Sequence, residues 1–238
     1  MDYSHPALLW LRRRGQNLGI LRPFVRAYRK AFAIGYEQKF DEVMLGQISL
    51  GDVVWDIGAN VGYFTGKFAA AVGTSGNVVA FEPAPWTFEE LQKSQGAGGN
   101  IKLENLALAD FDGEADFHVA PDGADPTNGL FSARPDAVTR KVKVLRGDTY
   151  RSAHLDMTPN RIKIDVEGYE YEVLRGLQET LKVEQLRSIF IEVHFLVLTE
   201  RKMPEAPTKI ADILRENGFG VEWADSGHIV ASRLTKTN

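Results

Sequence analysis

Cysteine is absent from the 238-residue chain. That removes disulfide frameworks, thiolate metal sites and cysteine nucleophiles, and makes a reducing cytosol the default compartment. Long apolar runs are missing too. Stretches such as Ile189–Val193 are broken by charge, well short of the ~18–20 residues that a membrane-spanning helix needs. The chain is therefore expected not to cross a membrane. The apolar run Ala7–Leu11 is shorter than the ~7–15-residue core of a secretory signal. Repeats and low-complexity tracts are also lacking. What is present, 44% hydrophobic and 25% charged residues, excludes disorder, collagen and coiled coil and suits one soluble globular domain.

Positive charge is concentrated at one end. Residues 1–30 hold Arg12, Arg13, Arg14, Arg22, Arg26, Arg29 and Lys30 against Asp2, a net +6, so a chain of net −4 leaves −10 for residues 31–238. A body of that charge repels nucleic acid, and no nucleic-acid partner is expected. In the basic arm Leu8, Leu11, Leu18, Leu21, Val25, Tyr28 and Phe32 recur at helical spacing. Residues 1–45 thus read as a basic helical extension packing on the core, with its arginines in water; a phosphate-bearing partner site and a targeting peptide are lesser readings.

From residue 50 onward, short apolar or β-branched runs alternate with helical stretches, the pattern of a mostly parallel sheet covered by helices. Strands are predicted at Val53–Ile57, Asn77–Glu82, Ile101–Asn105, Arg161–Asp165, Ser188–Val193, Phe219–Trp223 and Ile229–Ser232. Helices are predicted near Gly62–Ala71, Trp86–Gln95, Glu170–Leu181 and Thr208–Asn217, the last stopped by Asn217-Gly218. Alternating runs at Ala115–Val119 and Lys141–Leu145 flank a stretch rich in proline, glycine and aspartate. They read as a hairpin-like insertion around 112–145 within a domain spanning 46–238.

The most informative segment is Val53-Val54-Trp55-Asp56-Ile57-Gly58-Ala59-Asn60-Val61-Gly62, an apolar strand ending in an acid and a glycine-bracketed turn into a helix. Gly58 and Gly62 let backbone approach a ligand closely. A dinucleotide fingerprint fails because Asn60 stands where the middle glycine belongs. A phosphate-binding P-loop fails because only three residues separate Gly62 from Gly66-Lys67, and Phe68 follows. A nucleoside bearing a cationic amine and no phosphate fits better. Asp56 can neutralise an α-ammonium, and Glu82, at the end of the next strand, can accept hydrogen bonds from ribose hydroxyls. Either acid alone reads as a polar strand end; the pair around a glycine turn points to S-adenosylmethionine (SAM).

At these residues the sequence resembles the FkbM family of SAM-dependent methyltransferases. The resemblance spans roughly Tyr36–Ser232 and rests on Asp56-Ile57-Gly58-Ala59-Asn60-Val61-Gly62-Tyr63, Ala80-Phe81-Glu82-Pro83, Ala107-Leu108-Ala109-Asp110 and, most distinctively, Lys163-Ile164-Asp165-Val166-Glu167-Gly168-Tyr169-Glu170. It implies a Rossmann-like class I methyltransferase: an α/β fold with a seven-stranded, mostly parallel sheet, the last strand antiparallel, and helices on both faces. It also implies methylation of hydroxyls on sugars, polyketides, other secondary metabolites or glycans. Carried over, Asp56, Gly58, Asn60 and Gly62 would hold the methionine part of SAM, Glu82 the ribose, and Ala107 with Leu108 the adenine. Where the family pattern suggests an apolar residue before an acid, this chain has Arg146-Gly147-Asp148, so Asp148 carries no assigned role.

An aliphatic hydroxyl must be aimed at the methyl group and relieved of its proton. Candidates belong at the carboxyl ends of the middle strands. Asp165 with Glu167, and Glu192 with His194, sit there at spacings of two, which in extended chain point the same way. His194 is the natural general base, its ordinary pKa being about 6.5. Asp165, Glu192 and His194 also make a divalent-metal reading, which is not the favoured one. Glu167 and Glu170 suit the first turn of the following helix, and Lys163 has no assigned role. The loop 121–135 and the region through Phe40 are candidate walls for the acceptor, with Phe131, Tyr36 and Trp86 as candidate stacking aromatics. The expected activity is an O-methyltransferase; an N-methyltransferase of the same fold and a noncatalytic SAM-binding protein stay open. So does the oligomeric state, with which a homodimer is compatible.

Overall fold

A computed structural model describes residues 40–96, 98–119, 129–130 and 138–234. The basic arm, Tyr36, Phe131 and most of the loop 121–135 lie outside these residues. Helical residues 40–46 (α1) lead into strand β1 (Val53–Ile57) and helix α2 (Tyr63–Val72). Then follow β2 (Asn77–Phe81), α3 (Pro85–Gln95), β3 (Ile101–Glu104), β4 (Ala107–Ala109), β5 (Gly113–Val119) and β6 (Val138–Arg146). The remainder comprises α4 (Gly147–Ala153), β7 (Arg161–Ile164), α5 (Glu170–Arg175), β8 (Ser188–Glu192), α6 (Phe195–Glu200), α7 (Ala206–Glu216), β9 (Phe219–Trp223) and β10 (His228–Arg233).

Seven strands form one sheet in the order β3-β2-β1-β7-β8-β10-β9. The first five are mutually parallel, and β10 runs antiparallel to both β8 and β9. This is the seven-stranded arrangement expected from the sequence. The strand order reverses between β2-β1 and β7-β8, and in open sheets of this kind the crevice beyond the strand carboxyl ends at such a point receives ligands.

Alternation along the strands explains both layers. Trp55 and Ile57 of β1, Val79 and Phe81 of β2, Ile162 and Ile164 of β7, and Ile189 and Ile191 of β8 all point to one face, where Val173 and Leu174 of α5 and Ile210 and Leu214 of α7 cover them. The intervening residues Val54, Val78 and Phe190 meet Met44 of α1 and Phe68 and Val72 of α2 on the other face. Asp56 and Lys163 share that second parity and are register partners across β1 and β7. A buried ion pair therefore stands where the pattern would place two apolar side chains.

The second, three-stranded sheet has the order β4-β6-β5. Its β5–β6 pair is an antiparallel hairpin, and the short strand β4 lies parallel to β6. The long helix expected over 170–181 ends at Arg175. A Cβ on Gly176 would lie 1.9 Å from the Ala109 carbonyl oxygen, so the chain passes β4 too closely for an ordinary side chain. It resumes as a 3-10 turn, Thr180–Lys182, whose backbone N–H groups at Glu179 and Thr180 donate to Asp148 at 2.9 and 2.8 Å. Asp148 is thus a structural cap. Helices α4 and α6 have no counterpart in the sequence reading; with 7 and 6 residues they are too short for a hydrophobic period to register.

Candidate active site

The turn after β1 is built by close approach. Gly58 has φ +80°, and a Cβ there would sit 1.8 Å from the Asp165 carbonyl oxygen, so only glycine lets β1 and the end of β7 come together. Asn60 is left-handed at φ 51°. Gly62, at φ +91°, begins α2, and a Cβ on it would overlap Leu91 and Gln95 of α3. Gly62 therefore serves helix packing, whereas Gly58 and Asn60 line a cavity of about 740 Å³, a volume within the range typical of small-molecule sites.

Glu82, one residue beyond β2, lines the same cavity. Its Oε2 accepts from the Asn60 N–H at 3.0 Å and its Oε1 from the Ala84 N–H at 2.9 Å. The two bonds fix the carboxylate and leave each oxygen lone-pair capacity to spare. Burial pushes its pKa up to about 7, against the downward pull of those two N–H groups and of Lys163. Apolar wall is supplied by Phe81, Leu106, Ala107, Leu108 and Trp86. The Trp86 Nε1–H is buried without a hydrogen-bond partner among the described residues.

Asp56 is elsewhere. It is 0% exposed and lines neither described cavity; Thr65 Oγ1 donates to its Oδ2 at 2.7 Å, and Lys163 Nζ lies 3.3 Å from Oδ1. The acid expected to meet an α-ammonium is instead paired inside the sheet. Lys163, to which the sequence reading gave no role, is the hub. Its ammonium also donates to the Gly58 carbonyl at 3.2 Å and stands 3.5 Å from Asp165 Oδ2. Burial alone would lower its pKa, but Asp56 and Asp165 outweigh burial and hold it charged. The detectable signal was a lysine between two isoleucines of a short strand in the middle of the chain's sheet pattern, which when buried requires a partner.

Beyond β7 and β8 the other three acceptor-side candidates, and Glu170 with them, converge on His194. Its Nδ1 is 2.7 Å from Glu170 Oε1; its Nε2 is 3.2 Å from Glu167, 3.7 Å from Glu192 and 3.8 Å from Asp165. Burial would lower the His194 pKa, but the bonds to Glu167 and Glu170 dominate and raise it well above 6.5, so the ring is an imidazolium at neutral pH. Extended geometry does not continue past Ile164. Glu167 is left-handed at φ 50°, followed by Gly168 at φ 94°, and this reversal swings the Glu167 carboxylate back to His194. Strain of that kind costs on the order of 1–3 kcal/mol and persists only where surrounding contacts hold it.

The strained loop is pinned from behind by Arg201, a residue the sequence reading missed. It donates to the Gly168 carbonyl, pairs with Glu172 at 2.5 Å and stacks on the Tyr169 ring at 3.7 Å.

The acids are not equivalent. Burial raises Glu167, with His194 pulling the other way. Burial would raise Glu192 too, but His228, His194 and Lys163 bring it to about 2. One oxygen each from Asp165 and Glu167 and a ring nitrogen of His194 lie within 4.8 Å of one another, the donor chemistry of a divalent-cation site. Glu192, rather than Glu167, was the acid expected there.

A second cavity, about 370 Å³, adjoins the first, and Asp165 and Glu192 line both. Phe40, Tyr63 and Phe64 supply its aromatic wall.

Among known proteins, the family described as "Methyltransferase FkbM domain" matches residues 56–221. The hexuronic acid methyltransferase AglP of Haloferax volcanii is 30% identical over 183 residues, covering 73% of this chain and 72% of that protein. The 31-O-demethyl-FK506 methyltransferase FkbM of Streptomyces tacrolimicus is 28% identical over 208 residues, covering 72% and 74%. Among solved structures, a chain of a fibrillarin/Nop5p complex superposes with a TM-score of 0.50 at 18% identity, over 84% of this chain and 82% of that one, a likeness of fold.

Proposed function

The chain belongs to the FkbM family of SAM-dependent methyltransferases, and from that premise we propose that it transfers the methyl group to a hydroxyl oxygen of a glycan or other small molecule, with Glu167 as the proton acceptor. The two relatives are named for acceptors of that kind, a hexuronic acid and an O-demethyl compound. The observation that carries the reading is the pair of differently prepared carboxylate sites on one cavity: Glu82 pinned by two backbone N–H groups, and Glu167 held on strained backbone against an imidazolium.

The cavity suits SAM. Glu82 offers spare lone pairs to a ribose diol, the Trp86 side chain and the Ala107–Leu108 wall suit a base, and the surrounding carboxylates suit a sulfonium cation. Gly58 and Asn60 would contact the methionine portion, whereas Asp56 and Gly62 support that turn from within the fold. When bound, SAM supplies an electrophilic methyl group on sulfur. The chain supplies position and proton transfer: Asp165 and Glu192 accept hydrogen bonds from the acceptor and orient it, and Glu167 takes the hydroxyl proton. Burial makes Glu167 a stronger base than Glu192, which at about 2 keeps its charge and serves orientation. His194, already protonated, steadies the Glu167 carboxylate. This moves the base role from His194, the first choice on sequence alone, to its neighbour.

The test is a methyl-transfer screen with isotopically labelled SAM against neutral glycosides, uronic acids and polyketide alcohols, with and without EDTA. Alongside it, SAM and S-adenosylhomocysteine are titrated into wild type, Glu82→Ala and Glu167→Gln. The expected result is transfer that survives EDTA, weakened binding in Glu82→Ala, and in Glu167→Gln a kcat lowered about 10²–10⁴-fold with cofactor affinity retained. Full activity of Glu167→Gln refutes the base assignment. Unchanged binding in Glu82→Ala refutes the cofactor site.

A further inference from the structure

We propose that the second cavity, between α1, the start of α2 and the carboxyl ends of β7 and β8, is the acceptor subsite and takes an uncharged polyhydroxylated ring, a glycosyl unit. The inference rests on the larger cavity being the cofactor site and goes on to name where the acceptor lies and what it is. Asp165 and Glu192 line both cavities, so ligands in the two meet at the carboxylates. That is the arrangement a transfer between them requires.

The lining has the chemistry of sugar recognition. Tyr63 is a large aromatic left 62% exposed, yet it is held in place. Its ring packs edge-on against Phe64 at 4.9 Å, Lys67 Nζ sits 3.9 Å over it, and the same ammonium donates to its hydroxyl at 2.6 Å. Across the cavity Phe40 stacks on His228 at 4.3 Å. A preorganised aromatic face matches the C–H face of a sugar ring, and carboxylates at its edge accept hydrogen bonds from vicinal hydroxyls. A cavity of about 370 Å³ is room for one such unit rather than a macrocycle.

Charge decides which sugars. Around the cavity the cations among the described residues are already committed. Lys163 serves Asp56 and Asp165, His228 serves Asp225 and Glu192, Lys67 lies 3.8 Å from Asp41, and His194, behind Asp165 and Glu192, serves Glu167 and Glu170. These seven acids outnumber the four cations, so an acceptor carboxylate or phosphate entering here would meet net negative charge without a free partner among the described residues. The acceptor is therefore neutral at this subsite, unlike the hexuronic acid for which the Haloferax relative is named.

The experiment uses the full chain saturated with S-adenosylhomocysteine. Its probes are the methyl glycosides of glucose, galactose, mannose and rhamnose, together with those of glucuronic and galacturonic acid, followed by saturation-transfer NMR and competition titration. The expected result is binding of at least one neutral glycoside, with saturation on its ring C–H protons, at least tenfold tighter than any uronate. Tyr63→Ala and Asp41→Asn should each weaken that binding tenfold or more and leave S-adenosylhomocysteine affinity within twofold.

Several results would overturn the inference: no neutral glycoside binding to the loaded protein, binding untouched by both substitutions, or uronates binding as well as neutral sugars. So would loss of S-adenosylhomocysteine affinity in Tyr63→Ala, which would make the cavity the methionine end of the cofactor site. Failure of the wild-type chain to bind S-adenosylhomocysteine at all is a different result and strikes at the methyltransferase site itself.

Discussion

If Glu82 holds the ribose as proposed, it ties cofactor binding to pH in a way that can be worked out in advance. Burial lifts its carboxyl from 4.5 to about 7 in the ligand-free fold, yet a ribose diol, which donates, needs the ionised form. The apparent dissociation constant is then the intrinsic one divided by the ionised fraction. For a pKa of about 7 that fraction is about three-quarters at pH 7.5, half at pH 7 and one-eleventh at pH 6. Affinity for S-adenosylhomocysteine should fall about eightfold from pH 7.5 to 6, a window below the titration of the ligand's own α-amino group. Calorimetry at pH 7 in buffers of different ionisation enthalpy should register release of about half a proton per site. Adenosine should follow the same slope, and 2′,3′-dideoxyadenosine should not.

The same shift has a stability counterpart of fixed sign. A carboxyl whose folded pKa exceeds its unfolded value binds more protons in the folded state across the interval from 4.5 to about 7. The ligand-free protein therefore loses stability as pH rises through that interval, by about 3 kcal/mol from this group alone. In Glu82→Gln the fall should be correspondingly shallower, although one of the two bonds from Asn60 and Ala84 loses its acceptor and offsets part of the gain. Equal dissociation constants at pH 7.5 and 6, or an undiminished pH slope in Glu82→Gln, would refute the reasoning.

Three further perturbations test the scaffold. Lys163→Met leaves Asp56 charged, buried and unpaired, and should cost about 3–5 kcal/mol in chemical denaturation; adding Asp56→Asn should recover most of that loss, and no recovery would remove the ion pair as its cause. Gly58→Ala cannot be accommodated without parting β1 from the end of β7, since its Cβ would meet the Asp165 carbonyl at 1.8 Å; S-adenosylhomocysteine binding should drop beyond measurement and the melting temperature should fall, whereas near-wild-type binding would show that the turn is not that tight. Asp148→Ala removes the acceptor of two backbone N–H groups and of the Thr180 hydroxyl, which should cost about 2–4 kcal/mol, yet leave cofactor affinity unchanged because Asp148 lines neither described cavity.

The strands of the large sheet were legible because most are short runs rich in β-branched or apolar residues and bounded by turn formers, and the turn after β1 because Gly58 is set by local chain geometry. What sequence reading did not place depends on pairing between distant segments. Asp56 looks ligand-facing as the acid near a strand tip, but its partner Lys163 comes into register only when β1 and β7 align in parallel, 107 residues apart along the chain. Parity along each strand shows that both lie on the α2 face, and a buried lysine there demands an acid; neither clue names the match until the strand order is known. The contact between Glu167 and His194 escaped for another reason. Spacing of two predicts a common direction only in extended chain, and Glu167 reaches His194 through a left-handed reversal that no propensity for glutamate forecasts. Arg201 pays for none of this locally; it holds the Gly168 carbonyl and the Tyr169 ring from 33 residues away in the chain, so the strain at Glu167 is sustained by contacts visible only after folding.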